Sequence, residues 1–350
     1  MVVAFDEAGN TGEDLLNADQ PVFSLASVGL PLSTASGLVV PQGNELHFRR
    51  ARRRQKGRAA ILRLLTDTAL SGETIRVVGL HKQFSVVAKM VDLLVEPLAA
   101  RNSYDLYSEG AHLALSNLLF GALPVLLGEA QWTRILSGFV AMCREPTIEL
   151  REGFIRTLEQ ASLKTDGHTE DYLRLLAAGT ALGEFGGSGI SDLDPAPPCL
   201  MALAHAWAAD GYPFSILHDD RRELRRWEPY LAEYWRERDD HETFVLFDGR
   251  SITYPLPVKG LTMAASETDS RLQVADVIAG AAQMVLAAQV GVCPDPKFAS
   301  TLRDDTPLMS WFVHGNVWPT LDTDPLALGV RPGATSNLAD AMTAWSTRHS

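Results

Sequence analysis

The sequence predicts an α/β chain whose sheet-forming core is interrupted by a block of helices, and three observations point there. Short apolar runs bounded by turn residues occur at residues 2–5, 22–30, 74–80 and 212–217, as buried strands do. From about residue 84 to 189, strand-like alternation gives way to Leu- and Ala-rich helical periodicity. After residue 198, strands and helices mix again and lead into a long apolar helix that runs to residue 289. The expected organisation is a core in two parts, 1–83 and 198–290, with a helical insertion at 84–197 and a peripheral tail at 291–350 packed by Trp311, Phe312 and Trp318.

Residues 2–5 read VVAF and run into Asp6 and Glu7, after which Gly9, Asn10 and Gly12 permit a sharp turn. At least one carboxylate is thereby displayed at the end of a strand. Residues 22–30 stop before Pro31 and pair most economically with the first strand as a hairpin. Glu45 stands just before, or in the first part of, a basic segment that becomes a helix over 59–70, and a third strand at 74–80 precedes His81 and Lys82. The insertion carries helical runs at 108–127, 131–143, 148–163 and 168–181, then a glycine-rich stretch at 183–189 and a proline-rich loop at 194–198. Pro198 opens a helix that Gly211 stops. The strand at 212–217 also ends in acid, at Asp219 and Asp220 beside His218. A charged helix over 221–238, interrupted near Pro229, and strands at 243–247 and 251–256 follow. Residues 260–265 then lead to N-cap chemistry at 266–269 for the last long helix.

Composition narrows the classes. Hydrophobic residues make up 46% and charged residues 21%, which argues against extensive disorder. A formal net charge of −12 excludes a basic nucleic-acid coat. Locally the balance reverses, since residues 47–58 hold six Arg and Lys56 without an acid. Cys143, Cys199 and Cys293 are widely spaced and form neither a zinc-knuckle nor a disulfide pattern, which fits a reducing cytoplasm. The longest apolar stretch, 113–128, is interrupted by Ser116, Asn117 and Pro124, so no membrane span and no export signal are expected.

Chemistry is suggested by acids in apolar settings. Asp6 with Glu7 and Asp219 with Asp220 terminate two separate strands, and Asp276 lies within the apolar run LQVADVIAGAA. An unpaired ionised carboxylate among Val274, Ala275, Val277 and Ile278 would be costly. Gln273 and Asp269 stand three and seven residues before it, along one helix face. Together these are the parts of an oxygen-rich cluster able to hold Mg²⁺ or Mn²⁺. The rival structural roles are a solvated turn acid at Asp6 and a helix cap at Asp219, and the arginine run can equally be a solvated face. His218 is a candidate proton shuttle beside Asp219, whereas His47, His81 and His205 lack metal-type spacing.

The opening MVVAFDEAGNTG, the element ELHF, the strand SILHDD and the run SRLQVADVIAGAA resemble, in this order, the motifs of the DUF3800 group of bacterial and phage proteins, which is assigned to the ribonuclease H-like (retroviral-integrase-like) superfamily. The resemblance covers residues 1–82 and 198–289, and departs from the group's pattern at Ala8, where Ser is usual. It implies a ribonuclease H-like mixed sheet flanked by helices, with Asp6, Glu45, Asp219 and Asp276 forming one site for Mg²⁺ or Mn²⁺ and Glu7, Asp220, Gln273 and Asp269 as neighbours. It further implies a nuclease that hydrolyses phosphodiester bonds by a one- or two-metal mechanism. Lys82 and the run containing Arg52, Arg53, Arg54 and Lys56 are then candidates for holding the phosphate backbone of DNA or RNA. The alternative is a catalytically silent module of the same fold that works through a protein partner of the helical insertion, in phage defence or a toxin system.

Overall fold

Strand β1 (Val2–Ala8) has apolar side chains on both faces along VVAF, and a strand of that kind must be covered on both sides. In the computed structural model it occupies the middle of a five-stranded sheet with the order β3-β2-β1-β4-β7. The structure describes residues 1–9, 15–39, 46–107, 110–182, 193–220, 222–246, 249–313, 317–324, 326–330 and 338–349. After β1 come β2 (Val22–Val28), α1 (Leu32–Leu38), α2 (Phe48–Ala51), α3 (Gln55–Leu65) and β3 (Ile75–His81). A helical block follows: α4 (Lys82–Met90), a π-helical turn at Val91–Val95, α5 (Glu96–Arg101), α6 (Ala111–Leu127), α7 (Glu129–Arg144), α8 (Ile148–Ser162) and α9 (Gly167–Leu182). The chain then forms α10 (Ala196–Ala208), β4 (Phe214–Asp219), α11 (Arg222–Ala232), β5 (Glu242–Val245), β6 (Ser251–Tyr254), β7 (Val258–Ala264), α12 (Ser270–Gln289), α13 (Pro296–Asp304) and α14 (Leu338–His349). β1 pairs antiparallel with β2 and parallel with β4, β2 pairs antiparallel with β3, and β4 pairs parallel with β7. The fold class is therefore α/β, a mixed sheet flanked by helices.

The chain divides into two units, the first made of Met1–His81, Pro195–Glu242 and Thr253–Val317. Within it, period-2 alternation sends Ala26 and Val28 of β2 into a core with Val274, Ala275, Ile278 and Ala282 of α12. Ser24, on the same face, donates to the Ala279 carbonyl of α12 at 2.8 Å. The opposite face packs on α10, where the Trp207 indole N–H donates to Ser27 Oγ at 2.9 Å and the Arg76 guanidinium lies 4.0 Å over the Trp207 ring. Arg76 is held there by Asp210 at 2.7 Å. α12 is the one described helix long and apolar enough to cross a membrane, and 78% of that stretch is buried inside the fold, which is what a central core helix requires.

Several boundaries differ from the sequence expectation for local reasons. β1 does not end before its acids but continues through Asp6 and Glu7 to Ala8. α3 begins at Gln55 and stops at Leu65, short of residue 70, because the Asp67 side chain captures the Ala69 N–H at 2.9 Å and turns the backbone out of the helix. Residues 260–264 belong to a full strand, β7, and residue 265 lies just outside it. The tail is not peripheral as far as Val317: Phe298 and Leu302 of α13 join the α12 core, Trp311 is 2% exposed, and Phe312 bridges Val77 of β3.

His81, at the end of β3, is buried, and burial pulls its imidazole down to about 4 against an opposing backbone hydrogen bond. The unfolded chain takes up a proton near 6.5 that the folded chain refuses. Its contribution to stability is thus whole above pH 6.5 and is lost as the pH falls toward 4, by about 3 kcal/mol in full. His81→Gln should flatten the fall of the urea midpoint across that window, and an unchanged acid slope in the variant would show that His81 does not cause it.

The second unit comprises Lys82–Asp194, Thr243–Ile252 and Trp318–Ser350. Its helices close on one another around buried Trp132, Phe139, Phe154 and Leu173. Gly179 of α9 lies so near the π-helical turn that an added Cβ would sit 1.9 Å from the Leu94 carbonyl oxygen, so only glycine permits that approach. Thr147 caps α8 by accepting from the Leu150 N–H at 3.3 Å. Asn117 of α6 accepts the Thr320 N–H at 2.8 Å and ties the C-terminal segment to the block.

Candidate acidic site

Strand register brings two of the predicted acids side by side. The β1–β4 ladder pairs Ala4 with Leu217 and Phe5 with His218, so one step further along the parallel ladder Asp6 faces Asp219. Ala4 and Leu217 pack with Leu272 of α12. Asp6 and Asp219, each two residues on, therefore project from the same face of the sheet, toward α12. Asp276 stands one helical turn beyond Leu272 and completes the set. Asp6 is 4% exposed, and its carboxyl is held well above the usual aspartate value, first by burial and then by repulsion from Asp276, Glu7 and Asp219. The Glu7 N–H, donating to Asp6 Oδ1 at 2.7 Å, pulls the other way.

Each aspartate commits one oxygen to the protein. Asp219 Oδ1 accepts the Ser266 N–H at 3.2 Å, at the start of the short turn Ser266–Thr268. Asp276 Oδ2 accepts the Phe48 N–H at 2.6 Å and His47 Nδ1 at 3.0 Å. No other hydrogen bond is made by the second oxygens, Asp6 Oδ2, Asp219 Oδ2 and Asp276 Oδ1, among the described residues. Asp276 and Asp219 both repel Asp6 through space, yet among the described residues no three His, Cys, Asp or Glu side chains stand at metal-ligand spacing. Glu45 lies outside the described residues; its neighbour Leu46 donates its N–H to Gln273 Oε1 at 3.1 Å.

The accessory residues are placed differently from expectation. Glu7 alternates to the opposite face of the sheet, where its Oε2 lies 3.4 Å from His218 Nε2 with both side chains buried. His218 Nδ1 lies 2.9 Å from the Asp219 carbonyl, which only accepts, so Nδ1 carries a hydrogen, and attraction to Glu7 needs a further proton on Nε2 or on the carboxyl. Asp220 is exposed and taken by Arg225 at 2.5 Å. Asp269 caps α12 through the Arg271 N–H at 2.9 Å; burial works to raise its pKa, but its hydrogen bonds to Arg271 outweigh that and hold it low. Gln273 is a strap, joining Leu46 to the Ser266 carbonyl at 3.1 Å. Lys82 is wholly buried at the start of the second unit and is removed from any solvent-facing contact, because a buried ammonium cannot meet a phosphate backbone. Arg53, Arg54 and Lys56 are exposed, and Arg52 is half-buried.

Two residues escaped sequence reasoning. His47 lacked metal-type spacing because its partner Asp276 is 229 residues away; the only signal was its place two residues after Glu45. Gly280 belongs to the run around Asp276, and its reason is steric: an added Cβ would meet Phe48 Cδ1 at 2.3 Å and Phe48 Cβ at 2.7 Å. The bare helix surface thus seats Phe48 one turn beyond Asp276, the position from which its N–H reaches the carboxylate.

Fold and site together define an α/β protein with an aspartate cluster, its Asp6 buried and its Asp219 and Asp276 half-buried, between the carboxyl ends of two parallel strands and a core helix. Neither the protein-family models, nor the curated proteins, nor the solved structures contain a match to this chain.

Proposed function

We propose that this chain is a divalent-metal-dependent nuclease on a ribonuclease H-like core, related to the DUF3800 group. The observation that carries the proposal is the forced proximity of Asp6, Asp219 and Asp276: burial and mutual repulsion raise the Asp6 carboxyl, and a bound cation would offset both. First strand, later strand and last long helix are also the elements on which the resemblance puts its acids. The donor chemistry fits Mg²⁺ or Mn²⁺, since the second oxygens of the three aspartates are hard ligands and Glu45 would supply a fourth group. When bound, such an ion supplies Lewis acidity toward a phosphodiester and makes water acidic enough to act near neutral pH. The protein's own part is orientation. Phe48 N–H and His47 fix Asp276, Ser266 N–H fixes Asp219, and Glu7 N–H fixes Asp6, so the free oxygens are held in place before any ligand arrives.

The second reading is a silent module of the same fold that binds a protein partner without cleaving. The two separate on one pair of measurements. As a nuclease, the protein cleaves labelled single-stranded, duplex or hybrid nucleic acid with Mn²⁺, not with EDTA and not as Asp219→Asn, and Mn²⁺ at 100 times its dissociation constant adds about 2.7 kcal/mol to stability. No cleavage of any substrate, together with no stabilisation by Mn²⁺ or Mg²⁺, would overturn the proposal.

A further inference from the structure

We infer that the exposed arginines of α2 and the α2–α3 turn form a docking ridge for the sugar-phosphate backbone of the nucleic acid, an inference that rests on the nuclease reading of the neighbouring cluster. Residues 46–66 contain seven Arg and Lys56 and no Asp or Glu, in a chain whose net charge is −12. Arg49, Arg50, Arg53 and Arg54 are exposed, and none makes an ion pair among the described residues. Arg58 shows what a structural arginine does in the same segment: it pairs with Asp295 at 2.5 Å and donates to the Arg52 carbonyl at 2.7 Å.

The arrangement is unfavourable for folding by itself. α3 starts without a side-chain cap and without an acid in its first turn, while Arg54 is its N-cap residue and Lys56 its second residue. Cations at that end oppose the helix dipole, and crowded like charges repel. A polyanion relieves both, and arginine forks match phosphate oxygens in pairs. Membrane lipid is the poorer partner, because an interfacial helix needs exposed apolar side chains and, among the described residues, no large hydrophobic one between Leu32 and Tyr104 is exposed.

The ridge is also fixed relative to the cluster. Leu46 is strapped to Gln273, the Phe48 N–H is held by Asp276, and Phe48 packs on Gly280, all immediately before Arg49. A backbone lying on Arg49, Arg50, Arg53 and Arg54 is therefore led past the aspartates, while the rest of the acidic molecule repels it.

The test is fluorescence anisotropy of labelled single-stranded and duplex DNA and RNA oligonucleotides, titrated in EDTA across a KCl series. Changing the four arginines together to alanine should lower low-salt affinity at least about 100-fold and flatten the slope of log affinity against log salt by about three. The four-lysine variant should keep most of the slope. Wild-type protein that binds no oligonucleotide, or binds only phosphatidylglycerol vesicles or acidic peptide, overturns the inference. So does a four-alanine variant with unchanged affinity and slope. Binding is read without metal or turnover, so absent cleavage with intact ridge-dependent binding counts against the nuclease reading alone.

Discussion

Asp6→Asn is expected to lower metal-dependent cleavage by at least about 10³-fold, on the order of 4 kcal/mol in the barrier, while leaving the metal-free protein no less stable than the wild type. The two halves of that result have one cause. Asp6 is buried beside Asp276 and Asp219, where a negative charge is unfavourable until a cation compensates it. Asparagine keeps an oxygen for the Glu7 N–H and the same shape, so it removes the repulsion without opening a cavity. Losing the charge then costs only the chemistry. Cleavage rates with Mn²⁺ and urea titrations in EDTA give both numbers on the same preparations. Retained cleavage would remove Asp6 from the site, and a stability loss above about 2 kcal/mol in EDTA would mean that its carboxylate is structural.

Gly280→Ala is expected to destabilise the first unit by about 1–3 kcal/mol, as overpacking does, and to depress cleavage with it. The new methyl would fall 2.3–2.7 Å from Cδ1, Cγ and Cβ of Phe48, and Cβ cannot swing aside because it is bound to the backbone. Relief requires α2 to move, which draws the Phe48 N–H and His47 away from Asp276. The check is a double-mutant cycle with Phe48→Ala. The two changes should be non-additive by more than about 0.5 kcal/mol, and strict additivity would show that the clash does not run through Phe48.

Much of the fold is legible because strands and helices announce themselves locally. VVAF and the run from 212 onward appear as β1 and β4, and the helical runs of the insertion reappear as α6 to α9. The misplaced boundaries trace to side chains competing with the backbone, as Asp67 does after α3, or to packing, as with α13 and Trp311. Neighbouring acids could not be sorted in the same way. Asp6 and Glu7 look equivalent until β1 is known to continue through both, and then alternation must send them to opposite faces. Glu7 meets His218 on one face, and on the other Asp6 meets the repulsion of Asp276 and Asp219.

By itself the sequence determined that acids would interrupt apolar strands and an apolar helix, since composition and periodicity are written into each short segment. Only the tertiary structure decided which of them meet. The register of β1 on β4 and the seating of Phe48 on Gly280 join segments more than 200 residues apart, and contacts of that range are selected by packing the whole core, not by any local preference.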